Sequence, residues 1–148
     1  FYGYMCDMSR VFSIGKLSDE AYKAHQVCLD VQEKVISMAK PGAICEDLYN
    51  AAIEVVTQAG FADYFMGVGQ KAKFIGHGIG LEINEAPVLA PRNKQELEPG
   101  MVFALEPKIV LPGVGPLGIE NSWIVTSEGT EKLTLCEEKI IDLLDYTE

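Results

Sequence analysis

The feature that most constrains this chain is a change of hydrophobic period at Gly76. Upstream, apolar residues recur at spacings of three and four. One set is Ala21, Ala24, Cys28, Val31, Val35 and Met38, and the next is Leu48, Ala51, Ala52, Val55, Val56 and Ala59. Each set makes one buried stripe along a helix. Ser18 caps the first helix, with Asp19 and Glu20 at its positive end, and Lys40-Pro41-Gly42 stops it. The second runs from about Glu46 to Gly60. Residues 61–73 carry Gly67 and Gly69 and read as a loop. Downstream of Gly76, "MVFALEPKIVL" and "SWIVT" read as strands and "EKLTL" as a weaker one. Pro99-Gly100 and Pro112-Gly113 mark turns between them. The aromatic-rich residues 1–14 read as a strand or hairpin arm. Two helices followed by several strands predict an α+β fold with a largely antiparallel sheet. At 148 residues and 48% hydrophobic, the chain is long enough for one domain with its own core.

Charge narrows the partners. Twenty-two acids against twelve bases leave −10, which opposes binding to a phosphate backbone, so no nucleic-acid partner is expected. Such a balance accommodates a carboxylate cluster that holds cations, although a solvated acidic face is the commoner cause. No run is long or apolar enough for a membrane helix, and no membrane partner is expected. Cys6, Cys28, Cys45 and Cys136 form no C-x-x-C pair and have mostly apolar neighbours. They read as buried free thiols in a reducing compartment, hence a cytoplasmic location.

The candidate chemistry lies where polar residues interrupt apolar strands. Asp7 falls in the first strand-like segment, Glu106 breaks "MVFALEPKIVL", and Glu120 precedes an apolar run. A carboxylate buried there costs several kcal/mol unless it is paired or bound to a cation. His77 stands between Gly76 and Gly78 and reads as a residue on a glycine-rich turn. One imidazole and several carboxylates on separate strands suit Mn, Fe, Co or Zn, or two such ions sharing bridging oxygens. Taken singly, each acid also fits a strand-end residue facing water. His25 matches no motif and reads as structural or exposed, and Glu82 as structural. Arg10 reads as orienting its segment, and Trp123, Phe103 and Phe12 as core.

Four stretches together resemble one family. "GYMCDMSRVF", "GHGIGLEINEAP", "LEPGMVFALEPKI" and "GIENSWIVTSEGTEKLT" are similar, in order and spacing, to the metal-bearing strands of the pita-bread metallopeptidases. That family includes prolidase, Xaa-Pro aminopeptidase, methionine aminopeptidase and creatinase, and the match is closest to the proline-specific branch. The resemblance implies that residues 1–148 are the C-terminal part of one pita-bread catalytic domain whose earlier part, with one further Asp ligand, lies before Phe1. It implies Asp7, His77, Glu106 and Glu120 as ligands of two divalent ions (Mn, Co, Fe or Zn). Glu106 would also act as the proton-carrying catalytic residue. By itself the chain would be inactive and could be metal-free.

The implied reaction is hydrolysis of Xaa-Pro peptides, with a peptide or small amide as substrate and a homodimer as the assembly. Two departures bear on substrate. Asn84 stands seven residues after His77, where proline-specific members carry a second His, and is the candidate substrate-binding residue. Gly118 stands two residues before Glu120, where many Xaa-Pro aminopeptidases carry Arg. A creatinase-like C–N hydrolase and a non-catalytic binding module are the alternatives.

Overall fold

The computed structural model describes residues 2–146. Residues 4–11 run as a tape outside the main sheet; among the described residues of the segment read as a hairpin arm, Phe12–Ser13 (β1) is the only strand, and it runs parallel to Ile141–Asp142 (β9). The tape is tied to the rest of the chain through an isolated bridge between Ser9 and Glu120. Phe12 is exposed on this small ribbon rather than part of the core.

Helix α1 spans Asp19–Met38 and α2 spans Cys45–Gln58. Ser18 caps α1 as expected, its side chain accepting from the Ala21 amide at 3.2 Å. The stripe Ala21, Ala24, Cys28, Val31 and Val35 is buried, with Met38 packed at its margin. The face is wider than the apolar pattern, because His25 and Gln32 are buried too. Helix α2 has no capping side chain. Its first amides are satisfied from a distant segment instead, Cys45 donating to the Gln95 carbonyl at 3.0 Å and Glu46 to that of Asn93 at 2.9 Å. Residues 61–73 include a single 3₁₀ turn at Ala62–Tyr64, pulled in where Phe61, Phe65 and Met66 join the core.

Beyond Gly76 come β2 (Gly76–Gly78), β3 (Glu85–Leu89), β4 (Val102–Leu105), β5 (Lys108–Leu111), β6 (Gly115–Gly118), β7 (Asn121–Val125) and β8 (Thr130–Lys132). The main sheet is antiparallel in the order β3-β2-β4-β7-β8, while β5 and β6 form a separate hairpin. "MVFALEPKIVL" is thus two strands in two sheets. Pro107 cannot donate to a ladder, so the run breaks at Glu106-Pro107.

Side chains alternate across the sheet. Phe103 and Trp123 are cross-strand partners and join the core cluster with the helix stripes. His77, Ala104 and Ser122 form one cross-strand row in the alternate register. Glu106 and Glu120 lie two residues beyond Ala104 and before Ser122 along their chains, so the same alternation brings them to this row.

Candidate metal centre

His77 stands at one end of the row, and it sits in an internal strand of the sheet rather than on a turn. The glycines around it serve the neighbouring strands: a Cβ on Gly76 would overlap the Ala104 carbonyl, and one on Gly78 would overlap that of Ala86. His77 is 5% exposed. Its Nδ1 lies 3.1 Å from the Gly78 carbonyl oxygen, a contact that fixes the ring. Phe74 packs edge-on against it, with centroids 6.0 Å apart.

Asp7 arrives on the tape. Met5 N–H donates to the Gly80 carbonyl at 2.7 Å, and Ser122 Oγ donates to the Asp7 carbonyl at 2.9 Å. Arg10 clamps the far side. Its guanidinium donates to the carbonyls of Ser9, Glu120, Cys136 and Glu137 and to Asn121 Oδ1, at 2.7–3.3 Å. That is the orienting role read from the sequence, and it leaves Arg10 little capacity for any other partner.

Glu120 is 6% exposed and accepts from Ser9 Oγ at 2.6 Å. Burial pushes its carboxyl above the ordinary range. The Ser9 hydrogen bond opposes that shift, the charges of Asp7 and Glu106 add to it, and Lys108 opposes it. Carboxylates have therefore been gathered at a cost. Ligand atoms of Asp7, His77 and Glu120 all lie within 4.8 Å of one another. Two donors on one divalent ion at about 2.0–2.2 Å are separated by up to roughly 4.4 Å, so small adjustments suit the trio to one. The donor set, imidazole plus carboxylate oxygen, is that of a transition-metal site.

Glu106 borders the trio. Its Oε1 is 3.5 Å from His77 Nε2, and its Oε2 accepts from Lys108 Nζ at 2.6 Å. The structure thus brings Asp7, His77, Glu106 and Glu120 together. Asn84 is exposed and lines a neighbouring cleft of about 340 Å³ with Phe74, His77, Glu85 and Val88. Glu82 donates its amide to Glu85, whose carboxylate packs on Gly80, so both acids shape this loop.

Two neighbours of the centre escaped the sequence reading. Ser122 and Lys108 each lie two residues after a singled-out Glu, the period that puts strand side chains on one face. That signal was present for both. His25 is buried, with Nε2 2.8 Å from the Glu138 carbonyl oxygen, and is structural. The thiols divide. Cys28 and Cys45 are buried, while Cys6 and Cys136 are exposed, because they sit on the tape and on the C-terminal segment rather than on helix faces.

The model of metallopeptidase family M24 matches residues 1–127. The Xaa-Pro dipeptidase of Lactobacillus helveticus is 35% identical over 145 residues, which are 97% of this chain and 38% of that protein. The X-Pro aminopeptidase of Thermotoga maritima superposes with a TM-score of 0.88 at 34% identity, over 96% of this chain and 39% of that one. The Xaa-Pro dipeptidase of Bacillus anthracis superposes with a TM-score of 0.86 at 37% identity, over 97% and 39%. The chain spans well under half the length of these relatives. Its two outer helices and mainly antiparallel sheet are part of their α+β pita-bread fold. With a family match over most of the chain and a divalent-metal donor set at the heart of its sheet, the chain belongs to metallopeptidase family M24.

Proposed function

We propose that the protein carrying this chain is a metal-dependent Xaa-Pro peptidase. The observation that supports this most is the meeting of Asp7, His77 and Glu120 within 4.8 Å, with Glu106 beside them. Asp7, His77, Glu106 and Glu120 would hold two divalent ions, with Mn or Co as the first to test and Fe or Zn also suited to the donors. When bound, the ions supply acidification of water and polarisation of the scissile carbonyl.

The chain's own residues then divide the work. His77 presents one ring nitrogen while the Gly78 carbonyl holds the other. Glu106 takes a proton from the attacking water and hands it to the leaving nitrogen, acting as base and then acid. Asn84 offers an amide N–H to the developing oxyanion, a neutral donor where proline-specific relatives carry an imidazole. The expected assembly is a homodimer in the cytoplasm. Exposed Tyr4, Met5 and Met8 on the tape and Leu133 and Leu135 offer apolar surface to a second copy, as they do to the earlier part of the domain.

The test is proline release from Xaa-Pro dipeptides by the full-length protein loaded with Mn²⁺ or Co²⁺. Metal-dependent release is expected, with a loss of at least about 10²-fold in Glu106→Ala. Intact metal binding without any release would overturn the peptidase reading and direct the search to small amides.

A further inference from the structure

We infer that Lys108 is the group that recognises the free carboxylate of a dipeptide substrate, which restricts the site to dipeptides over longer chains. The inference rests on the peptidase reading above and adds the substrate class to it.

A cleft of about 290 Å³ opens beside the candidate metal centre, with Ser9, Arg10, Glu106, Lys108, Gly118 and Glu120 in its wall. That volume lies at the small end of ligand clefts, roughly 300–1,000 Å³. Its chemistry is lopsided. Glu106 and Glu120 line it and Asp7 lies beside Glu120, so it repels a free carboxylate unless a cation answers. Two cationic side chains are in its wall. Arg10 is occupied by four carbonyls and Asn121. Lys108 carries three donors and spends one on Glu106, and its side chain is 40% exposed. Among the described residues of this wall, Lys108 is the cation with capacity left for a ligand.

Register shows how the ammonium comes to be there. Lys108 and Gly118 are direct cross-strand partners in the β5–β6 hairpin. A Cβ on Gly118 would fall 2.8 Å from Lys108 Cβ and 2.7 Å from the Pro107 carbonyl oxygen. Any side chain at 118 would push the lysine stem aside. Glycine at 118 and lysine at 108 therefore form one device: a cation delivered from β5 through the space that β6 leaves open.

The distances connect this cation to the reaction. Glu106, to protonate the leaving nitrogen, must come within about 3 Å of it. In a dipeptide the free carboxylate carbon lies only about 2.5 Å from that nitrogen, across the N–Cα and Cα–C bonds. Lys108 Nζ is 2.6 Å from Glu106 Oε2. A carboxylate at that place can be met by the ammonium when it lies on the Lys108 side of Glu106. In a longer peptide a neutral amide stands there, and the charge interaction is lost.

The test compares an Xaa-Pro dipeptide with its C-terminal amide in the full-length, metal-loaded protein. Calorimetry with N-acetylproline and N-acetylprolinamide is the readout that needs no turnover. The unmodified protein is expected to favour each acid over its amide by about tenfold or more, in KM and in binding. Lys108→Met keeps the aliphatic stem and should bring both ratios towards one, and Lys108→Arg should restore part of the preference. Equal handling of acid and amide by the unmodified protein overturns the inference. So does a Lys108→Met variant that loses kcat but keeps the acid preference, because Lys108 then serves Glu106 alone. If the acid is bound in a Lys108-dependent way but no Xaa-Pro peptide is cleaved, the peptidase reading falls and the carboxylate site stands.

Discussion

Ser122 shows how much a single hydroxyl can carry. It sits between Ala104 and Leu133 in the sheet, and its side chain faces the tape. Its Oγ donates to the Asp7 carbonyl at 2.9 Å and lies 3.4 Å from the Asp7 amide nitrogen. Between the backbone bonds of Met5 and Ser9, these contacts help set Asp7 against His77 and Glu120. Ser122→Ala should therefore lower metal affinity by about 10–100-fold, the usual cost of losing a group that orients a ligand. Stability should fall by only about 1 kcal/mol. Calorimetric Mn²⁺ titration beside urea unfolding separates the two. A stability loss with affinity unchanged would show that Asp7 is held by Arg10 and Ser9 without help from Ser122.

At the scale of elements, the start of α2 is held by chemistry that local sequence does not contain. Glu46 takes the Arg92 amide at 2.8 Å on one oxygen and an ion pair from Lys94 on the other. The Lys94 hydrogen bond, then the Arg92 amide, hold its carboxyl below the ordinary range. A carboxyl lowered in the folded state stabilises it above the unfolded value, about 4.3. That contribution is lost as pH falls through the lower folded value. Glu46→Gln should accordingly be less stable than the parent near pH 6, with the gap closing on acidification. Urea midpoints measured from pH 7 down to pH 3 follow this. A gap that stays constant across the range would assign the effect to packing rather than charge. Another polar anchor between elements is Asn121. It donates to Gln32 of α1 at 2.9 Å and accepts from Arg10 at 2.8 Å, tying helix, sheet and tape together.

At the scale of the whole molecule, thiol accessibility reports on the folded core. Cys28 sits on the buried face of α1 with no exposure, and burial pushes its thiol up to about 12. Cys45 is buried at the start of α2, and burial raises its thiol as well. Since the thiolate is the reactive form, alkylation of the folded protein at pH 8 should label Cys6 and Cys136 quickly. Cys28 and Cys45 should react only as fast as the core opens, and their rates should climb with urea. Rapid labelling of Cys28 in the absence of denaturant would mean that the helix layer is not packed as described. Among the described residues, no helix is long and apolar enough to cross a membrane.

Local pattern by itself determined the two helices, because a 3.6-residue apolar stripe can be buried in only one way. It also singled out four candidates, which only the four-motif resemblance turned into an implied ligand set. Asp7, His77, Glu106 and Glu120 are polar residues in apolar or glycine-rich surroundings, and such residues need partners. Tertiary structure decided the rest. Whether Gly76 and Gly78 serve a turn or a crowded central strand depends on carbonyls from Ala104 and Ala86, distant in sequence or set by a bulged register. The tape gains its place from long-range bonds to Gly80, Glu120 and Ser122. Lys108 became a cation of the cleft only when the hairpin register set it opposite Gly118. Each of these is a non-local pairing, and a one-dimensional pattern specifies which face a side chain takes but not which partner meets it there.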